Sequence, residues 1–85
     1  MDFGDLSEQT EQRLIEFLNA DVDLAFTYIK MAQTRENGRE RLHHNARIAL
    51  EAVRRFEGRI ANPQSRTAIH ERADELERLL SKFTT

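Results

Sequence analysis

The chain has 85 residues, the length of one small domain, with 13 basic and 15 acidic residues and a net charge of −2. It contains no cysteine, which excludes disulfides, thiol nucleophiles and zinc–thiolate sites. A chain this short buries about 60–65% of its extended surface, so it has little room for a substrate cavity beside a core. Length and composition therefore argue against an enzyme that acts alone.

No part of the sequence resembles an export signal or a membrane span. Asp2 and Asp5 stand where a signal peptide carries basic residues, and no apolar run approaches the roughly 18–20 residues that cross a bilayer. One proline and three glycines suit long, uninterrupted helices. We expect one all-α domain over residues 1–85, located in the cytoplasm and not bound to a membrane.

The first predicted helix covers residues 8–36 and follows a short frayed lead at residues 1–6. Ser7 is suited to cap this helix, because its hydroxyl can accept a hydrogen bond from a free backbone N–H of the first turn. Asp5 with Glu8 is an alternative capping box. Both alternatives place the start of the helix within the same few residues.

The first helix carries two apolar stripes where a surface helix needs one. Six residues spaced by three or four positions form the first stripe: Ile15, Leu18, Val22, Ala25, Ile29 and Ala32. The second stripe lies roughly 120–180° around the helix and consists of Phe17, Leu24, Tyr28 and Met31. Aromatic and methionine side chains are enriched at protein interfaces, so we expect the second stripe to contact a copy of the chain or another protein. The alternative is that the first helix sits between the other two and buries both stripes.

The first helix could break near residues 19–21. Asn19 and Asp21 are poor residues for a helix interior and good ones for a cap. The first stripe keeps its phase across this point, however, so we favour one continuous helix. A break would give a fourth, short helix.

Two turns define the remaining helices. Asn37-Gly38 ends the first helix, since glycine readily takes the left-handed conformation, and so short a turn makes the next helix antiparallel. Asn62-Pro63 ends the second helix and caps the third. We thus predict helices at 39–61 and 63–82 and an antiparallel, up-down-up bundle of three helices. The second helix has a regular seam at Leu42, Ala46, Ala49, Val53, Phe56 and Ile60, and the third at Ile69, Ala73, Leu76, Leu80 and Phe83.

The predicted helices differ in length, at roughly 44, 34 and 28 Å for a rise of 1.5 Å per residue. The first would extend beyond its partners and leave Leu14, Phe17 and Leu18 in water. Each large apolar side chain left exposed forgoes roughly 1.5–3 kcal/mol. A homodimer would cover them, and so would folding residues 8–18 back over the bundle.

Charge is distributed unevenly along the chain. Acids dominate residues 1–24, where Arg13 is accompanied by Asp2, Asp5, Glu8, Glu11, Glu16, Asp21 and Asp23. Arginine dominates residues 25–66. We expect the acidic helix to lie beside the basic one, in the same chain or across a dimer. The alternative is an anionic partner such as nucleic acid, bound by arginines of the second helix: Arg47, Arg54, Arg55 and Arg59. Against that alternative, Glu51 interrupts the basic face, and the helices are too long for a helix-turn-helix.

Residues suited to catalysis or metal binding are sparse. Glu40 and His43 have the Glu-x-x-His spacing of di-iron bundles, but those bundles use two such motifs and two further glutamates. We interpret His43 as a histidine at the core boundary, and His70 with Asp74 as a surface pair. No glycine-rich phosphate loop is present. The sequence favours a non-enzymatic interaction or structural module without cofactor or metal, which we expect to form a homodimer.

Overall fold

A computed structural model describes the backbone of residues 3–82 and the side chains of residues 10–82. Within these residues the elements are α1 (Phe3–Thr34), α2 (Arg39–Phe56), a short 3₁₀ helix (Glu57–Arg59) and α3 (Pro63–Lys82). Each of the three α-helices contacts the other two. The predicted all-α, three-helix bundle is therefore confirmed.

Contacts between the helices show their directions. The carboxylate of Glu11, early in α1, accepts hydrogen bonds from the backbone N–H groups of Ala61 and Asn62, in the loop between the 3₁₀ helix and α3. At the opposite end, Ala32 of α1 and Arg39 of α2 line one shallow groove. The α1 and α2 helices are thus antiparallel. A residue of α1 and a residue of α2 whose numbers sum to about 72 lie at the same height along the helix axes, which we call the same level.

The helix boundaries correct several sequence predictions. The α1 helix begins at Phe3, so the frayed lead and the start near Ser7 are wrong. No proline interrupts this segment, and a helix already formed extends by one residue at little cost. The side chains of Asp5, Ser7 and Glu8, like the whole of Phe83, lie outside the described residues. The α1 helix is continuous across 19–21, as we favoured, so no fourth α-helix forms there.

The ends of α1 and α2 also differ from the prediction. The α1 helix stops at Thr34 instead of residue 36, and residues 35–38 form the turn. The α2 helix stops at Phe56 and tightens into the 3₁₀ helix before the extended Ile60, where a helix to residue 61 was predicted. Tightening into 3₁₀ geometry is common at helix ends. The third helix has its predicted bounds, and the side-chain oxygen of Asn62 caps it by accepting the N–H groups of Gln64 and Ser65 at 2.9 and 3.0 Å.

The core joins the predicted seams of all three helices. Its fully buried members include Leu18, Val22, Val53, Ile60 and Leu76. The first stripe is buried except for Ile15, which is half-buried against the core. The sequence prediction that Leu18 would be wet in a monomer is wrong, and Leu14 also packs against the core. The loop before α3 covers them, since it reaches the level of Glu11 and inserts the buried Ile60.

Gly38 offers a test of the first turn. Its φ of 82° lies in the left-handed region, while a Cβ added there would meet nothing within 4 Å. The Gly38→Ala variant is therefore expected to lose about 1 kcal/mol of unfolding free energy from backbone strain alone. Gly58→Ala is the matched control, because Gly58 is equally open and has no positive φ. Urea denaturation of both variants would contradict this account if Gly58→Ala lost as much stability as Gly38→Ala.

Candidate functional site

The second stripe of α1 divides into an exposed pair and a half-buried pair. Phe17 and Leu24 keep 57% and 45% of their surface exposed. Tyr28 and Met31 are half-buried, and Tyr28 packs against the core. The structure therefore brings the four predicted interface residues onto one side of α1, with the most accessible apolar surface at Phe17 and Leu24.

The exposed pair points away from α3. Arg72 of α3 contacts the opposite side of α1, where it donates to Asn19 at 2.8 Å and to Asp23, and its guanidinium lies 5.9 Å from the Phe26 ring centroid. At 100° per residue, these three contacts lie roughly 140° around α1 from Phe17 and Leu24. Nothing contributed by α3 can therefore cover the pair.

Ile48 of α2 adds a third exposed hydrophobic residue that the sequence analysis missed. It is 52% exposed and lies roughly 120° around α2 from Arg54, which contacts α3. Its number and that of Leu24 sum to 72, so the two residues share one level of the bundle. The available signal was an isoleucine off the regular seam of the second helix.

Phe17, Leu24 and Ile48 are the large hydrophobic side chains that stand exposed among residues 10–82. All three lie on the side of the α1/α2 pair that faces away from α3. We call this side the open face. Exposed hydrophobic residues on a protein surface are normally scattered singly, whereas these three lie on one side of a helix pair.

The two edges of the open face differ in charge. On α2, Arg41 and Arg55 lie within about 20° of Ile48, and the exposed Glu51 lies about 60° from it, toward the groove between α2 and α3. On α1, the exposed Glu16 lies roughly 80–100° around the helix from Phe17 and Leu24, at the edge of the open face. Asp21 of α1 is half-buried, and burial raises the pKa of its carboxyl. The open face thus has Arg41 and Arg55 beside Ile48 on α2, with Glu51 at its edge, and Glu16 and Asp21 on α1.

Arg54, a predicted anion-binding residue, is the centre of an ion-pair cluster. Its guanidinium donates to Asp74 at 2.5 Å, to Glu77 at 3.2 Å and to Glu57 at 3.4 Å. His70 joins the cluster through its Nδ1, 2.9 Å from a Glu57 oxygen. These contacts tie α2, the 3₁₀ helix and α3 together and surround Arg54 with carboxylates of the same chain.

The other predicted anion-binding residues do not converge on one point. Arg47 and Arg55 border an open groove between α2 and α3 whose apolar part is Leu50 and Leu80. Arg59 lies beyond the end of α2, where its guanidinium sits 4.8 Å from the Phe56 ring centroid. An anion in the groove would meet Arg54 already paired with three carboxylates.

The ion-pair cluster predicts acid sensitivity. The hydrogen bond from Arg54 holds the pKa of Asp74 below its usual range. A carboxyl with a lowered pKa in the folded state contributes stability at any pH above its unfolded pKa and loses it as the pH falls through the folded value. The unfolding free energy is expected to decline below the ordinary pKa of an aspartate, and less steeply in Asp74→Asn. If the stability of the wild type and of Asp74→Asn, measured by thermal melts between pH 2 and 6, declined equally as the pH falls, this role of Asp74 would be contradicted.

The histidine motifs lie at the surface and at a groove. His70 and Asp74 form the expected surface pair, with Nε2 and Oδ2 3.5 Å apart and both side chains about half exposed. Glu40 and His43 line the shallow groove near the first turn. Across the part of the chain that the structure describes, no three histidine or acidic side chains are arranged to hold a metal ion.

No helix within the described residues combines the length and apolar character that crossing a bilayer requires. No protein-family model matches the sequence, and neither a curated protein nor a solved structure is significantly similar to it.

Proposed function

We propose that this chain is a non-enzymatic helical interaction module that self-associates as a dimer through its open face. The observation that carries the proposal is the alignment of Phe17, Leu24 and Ile48 on one side of the bundle, each about half exposed. Clustered apolar surface of this kind marks association sites in soluble proteins. Tyr28 and Met31, half-buried at the same side, extend the apolar area.

A two-helix face is well suited to pairing with another two-helix face. Four helices packed in this way enclose a second apolar core, which is the common arrangement of helical bundles. The 85-residue chain has a modest core of its own, so additional burial is a substantial gain in stability.

The experiment is the solution mass, measured by light scattering after size exclusion, of the wild type and of a Phe17→Glu/Leu24→Glu double variant. We expect a wild-type dimer and a variant that is a folded monomer by circular dichroism. Tyr28 is left unchanged because it packs against the core. Ala68→Glu, at an exposed position of α3, is the matched control and should stay dimeric. A monomeric wild type would refute self-association.

The alternative function, binding of an anion or nucleic acid by arginines, makes a different prediction. Its affinity would fall steeply with salt, because phosphate contacts release counterions. Arg47 and Arg55, which border the α2/α3 groove, are the residues to remove. No binding of a short DNA duplex at low salt would refute this alternative.

A further inference from the structure

We propose that the second copy binds with its α2 over α1 of the first copy, so that Leu24 of each chain packs against Ile48 of the other. This inference rests on the proposed self-association and specifies its geometry. It also assigns an interface role to Ile48 and to the arginines beside it on α2.

Two symmetric arrangements can bring the open faces of two copies together. A two-fold axis parallel to the helices places α1 of one copy opposite α2 of the other. A two-fold axis across the helices places α1 opposite α1 and α2 opposite α2. Each arrangement makes all neighbouring helices antiparallel, so helix direction does not distinguish them.

The levels of the exposed residues fit the first arrangement. A two-fold axis parallel to the helices preserves the level of every residue. Leu24 and Ile48 lie at about one level of the bundle, as the groove lined by Ala32 and Arg39 at one end and the contacts of Glu11 with Ala61 and Asn62 at the other end indicate. Each Leu24 therefore meets an Ile48.

Charge decides between the arrangements. Packing α2 on α2 about an axis at the level of Ile48 would bring Arg41 of each copy opposite Arg55 of the other, because these arginines lie seven residues before and after Ile48 on the same side of the helix. Packing α1 on α2 brings Glu16 to the level between Arg55 and Arg59 of the other chain. Opposite charges across an interface favour the register that pairs them, whereas like charges disfavour theirs.

The like-charge approach of Arg13 to Arg59 of the second copy is present in the proposed arrangement. It lies at the end of the open face beside solvent, where salt screens it. The guanidinium of Arg59 is also held over the ring of Phe56 in its own chain. This approach is therefore weaker than the two Arg41–Arg55 approaches that packing α2 on α2 would impose.

Single-cysteine variants test the geometry directly, because the natural chain has no cysteine. Leu24→Cys and Ile48→Cys, one carrying a tag that changes its mass, are mixed in equal amounts and oxidised mildly. We expect the disulfide between the two different chains to form at least fivefold faster than the disulfide within either variant alone. Glu75→Cys, at an exposed position of α3, is the control for random collision.

The outcomes separate this inference from the proposed function. A wild-type dimer in which Leu24→Cys cross-links to itself would overturn the geometry and leave self-association standing. A dimer in which no cysteine pair forms a disulfide faster than the Glu75→Cys control would do the same. A wild-type monomer would overturn both proposals.

Charge reversal gives a second test that does not depend on disulfides. Glu16→Arg alone and Arg55→Glu/Arg59→Glu alone are each expected to weaken dimer affinity about tenfold. Mixing the two restores opposite charges at both contacts of a mixed dimer, so the mixture should associate like the wild type. Unchanged affinity of the separate variants, measured by sedimentation equilibrium, would overturn the proposed pairing.

Discussion

The Leu18→Ala variant is expected to unfold with a free energy about 3 kcal/mol below that of the wild type. Leu18 has no exposed surface and belongs to the core that joins α1 to both other helices. Truncating a buried leucine removes the transfer free energy of its side chain and leaves a cavity that the surroundings fill only in part. Urea denaturation followed by circular dichroism would measure the loss, which is a large fraction of the stability of a small domain.

Leu24→Ala is the matched control, with the same substitution in the same helix. Leu24 is 45% exposed on the open face, so the variant should lose less than about 1 kcal/mol of unfolding free energy. Both variants are compared at a protein concentration low enough to dissociate a dimer, which keeps association out of the comparison. Similar losses in the two variants would contradict the burial of Leu18.

The Arg54→Met variant is expected to lose about 1–2 kcal/mol of unfolding free energy at neutral pH. The guanidinium of Arg54 donates to carboxylates of Glu57, Asp74 and Glu77, and its side chain is only 26% exposed. Methionine keeps much of the apolar stem but leaves three like charges close together without their counter-ion. Hydrogen bonds that involve charged groups are stronger than neutral ones, and this cluster joins two helices.

Thermal melts across a range of pH would test the origin of that loss. The destabilisation by Arg54→Met should shrink once the pH is low enough to protonate the carboxylates, because the remaining repulsion then disappears. Arg55→Met is the matched control, since Arg55 is exposed one residue away. A loss in Arg55→Met equal to that in Arg54→Met would refute the importance of the cluster.

The ion-pair cluster was only partly predictable. The His70–Asp74 pair follows from the spacing of four residues within one helix. The three carboxylates around Arg54 come from two other elements, at sequence separations of 20 and 23 residues for Asp74 and Glu77. Periodicity within one helix carries no information on which residue of another helix lies opposite. The predicted arginine face therefore includes Arg54, whose guanidinium is paired with carboxylates of the same chain.

The open face was likewise only partly predictable from the sequence. The pattern of α1 revealed surplus apolar residues but could not separate Phe17 and Leu24, which are exposed, from Tyr28, which packs against the core. Ile48 escaped notice because one exposed isoleucine outside a regular seam is ordinary in any helix. Its significance came from its level beside Leu24, which depends on the packing of α1 against α2.

The sequence by itself determined the helices, the turn at Gly38, the cap at Asn62 and the buried seams. These features depend on local conformational preferences and on a repeat of three to four residues, which can be read along one helix. The tertiary structure decided where α1 begins, whether Leu18 is exposed to solvent, which partners surround Arg54 and where the open face lies. Each of these depends on how far one helix slides along and rotates against another, and that arrangement is fixed only when all three helices pack together.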